Sequence, residues 1–187
     1  MRHILHLLRG DIERHHALMR ESGLWAMIVY RLGAYSANLP RGWRQRAAKA
    51  THDRTALMLR LATRSSLAPS MKAGEGLRFV HGFNVTIGPD VTLGERVEIM
   101  QDVTIASTHD RIGSPTVGSD VFIGAGATIL GPVTIGDGAA IGANSLVTTD
   151  VPAGAFVIGV PAKVIRWGRA ASAPIASNAA VASAAGK

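Results

Sequence analysis

The chain has 187 residues, of which 47% are hydrophobic and only 5% aromatic, so one folded unit with a core of small aliphatic side chains is expected. It contains no cysteine, which excludes disulfides and thiolate metal sites and fits a reducing compartment. The net charge of +7 is lopsided: residues 1–70 carry 12 Lys and Arg against 4 Asp and Glu, whereas residues 71–168 carry 6 against 9.

No aromatic-rich basic patch or nucleic-acid reading motif accompanies that positive charge, so nucleic acid is not expected as a partner. The basic first segment suits an anionic ligand or a membrane surface, or is simply a solvated helix face. The opening "MRHILHLLRGDIERHH" has too short an apolar run for a secretion signal. No stretch of about 18 apolar residues is present to span a bilayer. A cytoplasmic location is expected, with peripheral contact at the inner face of the membrane open to the basic segment.

Residues 1–65 read as a helical segment. "GLWAMIVYRLGAYSANLP" opens at Gly23, carries an apolar run and stops at Pro40. "WRQRAAKATHDRTALMLRLATR" is rich in Ala, Leu and Arg without internal Gly or Pro, which predicts a long helix.

Residues 66–168 change character and form a repeat. From Ile87 the six-residue units are "IGPDVT", "LGERVE", "IMQDVT" and "IASTHD"; after an irregular patch come "VGSDVF", "IGAGAT", "ILGPVT", "IGDGAA", "IGANSL" and "VTTDVP". The first position is always aliphatic, and the fifth is small or β-branched except in "IASTHD". This period fits neither an amphipathic helix nor one long strand. It fits a short strand plus a bend, wound into a parallel β-helix whose aliphatic residues stack about 4.8 Å apart. Residues 169–187 form a low-complexity Ala/Ser tail, for which disorder is expected.

The rhythm breaks twice, and each break holds a histidine. Leu67, Ala73 and Phe79 keep a six-residue step, but Phe79 to Ile87 is eight, with His81 at the seam. Between Ile105 and Val117 the position due to be aliphatic is Arg111, so "ASTHDRIGSPT" is expected to leave the coil as a loop carrying His109. Breaks in a repeat are where local rules give way to function. A neutral imidazole, with a reference pKa near ~6.5, is available at neutral pH as a general base for a hydroxyl. It needs fixed placement and nearby N–H groups for the oxyanion.

The pattern resembles the hexapeptide-repeat acyltransferases. The resemblance covers roughly residues 66–168 and includes the closing "GVPAKVI" from Gly159 to Ile165. It implies a left-handed coil, a homotrimer, and acetyl-CoA as co-substrate in the groove between neighbouring subunits, with no metal. Within that family the sequence is similar to the serine acetyltransferase branch. "VHGFNVTIG" matches Asp-His-Gly-x-Gly-x-Val-Ile-Gly and assigns the catalytic base to His81. "QDVTIAST" matches Gln-Gly-Val-Thr-Leu-Gly-Gly-Thr, "GLWAMIVYRLGAY" resembles that branch's Gly-x-x-Ala-x-x-x-x-Arg-x-Gly helix, and Asp11 falls near an acidic substrate-binding residue. For the donor, the resemblance implies that Ala125 and Ala143 leave room for the pantetheine, and that Lys163 and Arg166 meet the phosphates.

Departures from the branch bear on the acceptor. Val80 replaces the aspartate before the histidine, Ser66 stands where an aspartate orients the base, and Ser114 takes the place of a loop histidine. An amino-acid ammonium would lose its carboxylate partners, whereas Ser66, Ser107 and Ser114 suit neighbouring sugar hydroxyls. "HG" without the preceding aspartate resembles exopolysaccharide acetyltransferases of the colanic-acid type. "IASTHDR" resembles the Thr-His-Pro loop of galactoside and maltose acetyltransferases, which places His109 in the site as well. The expected activity is therefore acetyl transfer to a saccharide in exopolysaccharide biosynthesis, with serine as the alternative acceptor. A zinc enzyme of the γ-carbonic anhydrase type would need a His cluster that the repeat lacks, and a non-catalytic scaffold is the remaining class.

Overall fold

A computed structural model describes residues 6–7, 9–11, 22–110 and 112–167. Arg111 and the Ala/Ser tail lie outside these described residues. Two helices precede the coil over residues 22–63, α1 (Ser22–Ala37) and α2 (Trp43–Thr63), and the described residues 9–11 are helical as well. α2 ends at Arg64, whose left-handed conformation lets its N–H reach Arg60 O and stop the helix.

Among the described residues fifteen short strands follow, arranged as three sheets that share one winding chain. Sheet A stacks β1 (Ser66–Leu67), β4 (Thr86–Ile87), β7 (Thr104–Ala106), β10 (Thr128–Leu130) and β13 (Leu146–Val147). Sheet B stacks β2 (Lys72–Ala73), β5 (Thr92–Leu93), β8 (Thr116–Val117) and β11 (Thr134–Ile135). Sheet C stacks β3 (Arg78–Phe79), β6 (Glu98–Ile99), β9 (Phe122–Ile123), β12 (Ala140–Ile141) and β14 (Ala155–Ile158) in parallel. β15 (Lys163–Trp167) then pairs antiparallel with β14.

The six-residue period is thus one side of a triangular coil, and three units make a turn. From Ile87 to Val147 every aliphatic first residue points inward and is buried. The fifth-position residues, such as Val91, Val97 and Val121, form a second buried set. Each buried branched side chain contributes about 1.5–3 kcal/mol of transfer free energy, and the stack repeats it coil after coil. Tight winding demands glycine at one column of bends: a Cβ on Gly74 would meet Gly94, one on Gly94 would meet Gly118, and one on Gly136 would meet Ala153. There the next coil's backbone occupies the space a side chain would need.

Register locates both seams. Thr86 pairs with Thr104, eighteen residues on. Ser66 pairs with Thr86, twenty on, and Thr104 pairs with Thr128, twenty-four on. Two extra residues therefore sit between β3 and β4, and six between β7 and β8. The six fall within the expected stretch "ASTHDRIGSPT", whose first and last residues, Ala106 and Thr116, belong to β7 and β8.

The helices close the first coil. Tyr30 Oη donates to Met71 O at 2.9 Å, and Arg31 donates to Ala73 O at 2.9 Å and Gly74 O at 2.7 Å. A Cβ on Gly23 would collide with the Phe79 carbonyl, so α1 begins in direct contact with β3. His52 of α2 packs against Gly33 of α1 and lies within hydrogen-bond reach of Val29 O at 3.2 Å.

Candidate active site

The bends that lead from sheet C to sheet A form one edge of the prism. The first holds His81, between β3 and β4; the next hold Gln101, Ala125 and Ala143, one per coil. Backbone bonds tie these bends together: Asp102 N to Phe83 O at 3.1 Å, Gly126 N to Gln101 O at 3.0 Å, and Asn144 N to Ala125 O at 2.8 Å. Gly159 and Ala162 continue the edge through bonds with Leu146, and Lys163 follows at the start of β15. His81 and Ala143 are three coil spacings apart, about 14 Å at the usual strand separation. The imidazole is exposed, Ala125 half-buried, and Ala143 and Lys163 exposed. A long thin ligand can lie down this edge because its side chains are small.

The His81 turn is held from beneath. Ser65, only 1% exposed, donates its hydroxyl to Gly82 O at 3.0 Å and accepts from Val85 N at 3.1 Å. Asn84 N donates to Thr63 O at 2.7 Å, and Phe83 N to His81 O at 2.9 Å. Asn84 Nδ2 donates to Asp102 Oδ1 at 2.8 Å, linking the turn to the bend below. The Ser65, Thr63 and His81 O contacts fix backbone around the histidine, and none of these contacts engages its ring.

The other expected residues stand elsewhere. His109 is exposed in the loop between β7 and β8, on the edge leading from sheet A to sheet B. Within one chain the two histidines therefore lie on different edges, at opposite sides of sheet A. Ser107 is exposed at the start of that loop, and Ser114 Oγ donates to Pro89 O at 3.2 Å. Ser66 is exposed on the outer face of β1. Arg166 is exposed, and its guanidinium stacks over the Phe156 ring at 5.8 Å.

Asp11 is built into the fold. It has no accessible surface, and Arg31 Nε donates to its Oδ2 at 2.9 Å while Leu77 N donates to its Oδ1 at 3.0 Å. Burial pushes the carboxyl above the ordinary carboxylate range, against the pull of Arg31 and the Leu77 N–H. In this chain the residue fastens the helical segment to the first coil.

Known proteins resolve the family. The model described as bacterial transferase hexapeptide (six repeats) matches residues 114–149. A serine acetyltransferase of Helicobacter pylori is 36% identical over 110 residues, which are 58% of this chain and 64% of that one. A solved serine acetyltransferase in complex with CoA superposes with a TM-score of 0.70 at 30% identity, over 87% of this chain and 68% of that one. The chain belongs to the serine acetyltransferase family. Another member, the Neisseria gonorrhoeae enzyme in complex with serine, superposes with a TM-score of 0.74 at 25% identity, over 87% of this chain and 69% of that one. The chain spans less than two thirds of the length of the curated relatives it matches.

Against that family's aspartate pattern, Ser65 is the residue that sequence reasoning passed over. Ser66 occupies the aspartate's place but faces outward, and its neighbour touches the His81 turn. A serine just before a strand carries no signal of its own. Its partners are seventeen and twenty residues away, so only the coil register brings them together.

Proposed function

We propose that the chain transfers an acetyl group from acetyl-CoA to a hydroxyl, with His81 as general base and serine as the acceptor. The observation that carries the reading is the single edge on which His81, Ala125, Ala143 and Lys163 line up, in a member of the serine acetyltransferase family. The His81 imidazole takes the hydroxyl proton as the oxygen attacks the thioester carbonyl. The tetrahedral adduct collapses with cleavage of the carbon–sulfur bond, and the imidazolium returns its proton to the departing thiolate. Ala125 and Ala143 supply the flat floor for the pantetheine arm, and Lys163 meets phosphate at its far end.

The active form in this reading is a homotrimer. His81 and His109 lie on different edges of one prism, and packing three prisms about an axis brings the sheet A–B edge of one chain to the sheet C–A edge of the next. Among the described residues, Gln101 Oε1 on the first edge and Thr108 Oγ1 on the second loop are buried without a hydrogen-bond partner. Buried polar atoms of this kind cost free energy until a neighbour or ligand satisfies them.

A saccharide acceptor is the second reading, and a specific observation favours it. Val80 and Ser66 stand at two places where the family carries carboxylates, and Asp11 is consumed by Arg31 and Leu77. A serine ammonium left unpaired in a partly desolvated site costs on the order of a few kcal/mol. The deciding measurement is kcat/KM for serine beside that for glycan repeat units, followed by release of free CoA thiol. A serine value of about 10⁴ M⁻¹s⁻¹ or more is that of an enzyme on its own substrate. A much lower serine value with efficient sugar turnover gives the second reading; no thiol release with either removes both.

A further inference from the structure

The surface of α2 carries a stripe that the acetyl-transfer reading does not use. At 3.6 residues per turn, Trp43, Ala47, Ala50, Arg54, Leu57, Met58 and Leu61 fall within an arc of about 100°. The buried His52 and Thr63 lie on the opposite side, against the fold. Four large apolar residues of the stripe are open: Trp43 at 77%, Leu57 at 52%, Met58 at 63% and Leu61 at 70% exposure. Cations flank them. Residues 41–64 contain seven Arg and Lys, all exposed, and one acid, Asp53, which is paired with Lys49 at 2.8 Å.

We propose that this face of α2 docks on the surface of an anionic lipid bilayer. A helix with an exposed Trp/Leu/Met stripe bordered by Arg and Lys is built for the headgroup boundary: apolar side chains enter the acyl edge and cations meet phosphate. Arg54, inside the stripe, reaches headgroups by extending its stem along the apolar surface. A second copy of the face is a poor occupant, because a two-fold contact sets Arg54 and the flanking cations against their own copies. The residues beyond Arg169 are a poor one as well: their large aliphatics are Ile175 and Val181, and they add positive charge. The docking has a consequence for the site. The last carbonyl of α2 at Thr63 accepts from Asn84 N in the His81 turn, so a docked helix holds that turn close to the membrane.

The proposal goes beyond the acetyl-transfer reading and is tested apart from it. Full-length protein is sedimented with vesicles of phosphatidylcholine alone and with added phosphatidylglycerol, at low and high salt. The expected result is pelleting with the anionic vesicles only, released by salt, and reduced at least tenfold in Trp43→Ser/Leu61→Ser. An exposed charge variant, Arg46→Glu/Arg54→Glu, guards against a folding failure and is expected to lose binding with its circular dichroism intact. Wild-type protein that stays in the supernatant overturns the proposal, as do folded variants that pellet like wild type. Wild-type protein that ignores vesicles, with an oligomeric mass that falls in Trp43→Ser/Leu61→Ser, makes the stripe an interface between copies instead. Thiol release from acetyl-CoA, measured without vesicles, reports separately on the enzyme.

Discussion

The two seams of the coil solve the same problem differently. Both interrupt a six-residue rhythm and both present a histidine, yet the first adds two residues and the second adds six. Around His81 the backbone is held at several points: Ser65 from inside, Thr63 from the helical segment, and Asp102 from the next coil. Around His109 the loop leaves His109 exposed, with Ser114 bonded to Pro89 O and Gly113 set against Pro132. A general base must keep its ring in place without help at each turnover, because misplacement directly erodes the rate. The first seam is organised by its own chain; in the trimer proposed above, the second meets a neighbour.

The sharpest way to break that contrast is to remove each imidazole in turn. His81→Asn is expected to keep the fold and acetyl-CoA affinity while kcat falls by about two to four orders of magnitude, the usual worth of a positioned base. His109→Asn is expected to lose much less. Thiol-release kinetics with calorimetric binding of CoA measure both quantities. If the two variants lose equally, the seams are partners in one site; if only His109→Asn is impaired, the assignment of the base moves to the second loop.

The helical support of the first seam gives the next largest effect. Gly23 lies where an added methyl meets the Phe79 carbonyl, a backbone atom two residues before His81. Gly23→Ala is expected to destabilise by about 3 kcal/mol, the upper part of the range for overpacking, because neither partner is a flexible side chain. Urea unfolding followed by circular dichroism reads the loss. A midpoint unchanged from wild type means that α1 shifts freely, and that the helices do not brace the turn.

Much of this architecture was legible in the sequence because a stacked core repeats its demand at every coil. Ile99, Ile123 and Ile141 answer one another across sheet C, and their spacing alone announces the strands. Seams are legible for the same reason, as failures of a strict pattern, so His81 and the loop of His109 stand out. Side-chain partnership is different. Asp11 shows its charge in the sequence but not its burial, which depends on Arg31 and Leu77 coming from two other elements. Ser65 is silent, since its two partners are defined by coil register rather than by neighbours in the chain. The exposed stripe on α2 was visible only as a basic segment until the buried His52 and Thr63 fixed which way the helix faces.

Ser65 offers a finer test of what the first seam owes to its own chain. Ser65→Ala removes one donor and one acceptor from a site that water does not reach, so Gly82 O loses the Ser65 donor and Val85 N loses its acceptor. The expected cost is about 2 kcal/mol of stability, within the range for buried unsatisfied backbone groups. More telling is the kinetic pattern: kcat should fall while KM for acetyl-CoA holds, since the proposed donor site lies farther along the edge. Ser65→Thr keeps the hydroxyl and should restore kcat more than stability. A fall in stability with kcat untouched would mean that the hydroxyl merely fills the core.

The smallest effect is expected at the second seam, and it completes the contrast. Ser114 Oγ donates to Pro89 O at 3.2 Å from a half-buried position where water can replace it. A solvent-accessible neutral hydrogen bond contributes about 0.5–1.5 kcal/mol, and replacement by water brings it to the bottom of that range. Ser114→Ala should therefore leave the unfolding midpoint within about 0.5 kcal/mol of wild type. Its kinetic effect should appear only in KM for the acceptor, because in the proposed trimer the loop meets the site of a neighbouring subunit and not the His81 turn of its own chain. Chemical unfolding alongside acceptor titration at saturating acetyl-CoA distinguishes these outcomes. A stability loss as large as that of Ser65→Ala would show that the second loop is braced within its own chain, and the distinction between the two seams would disappear.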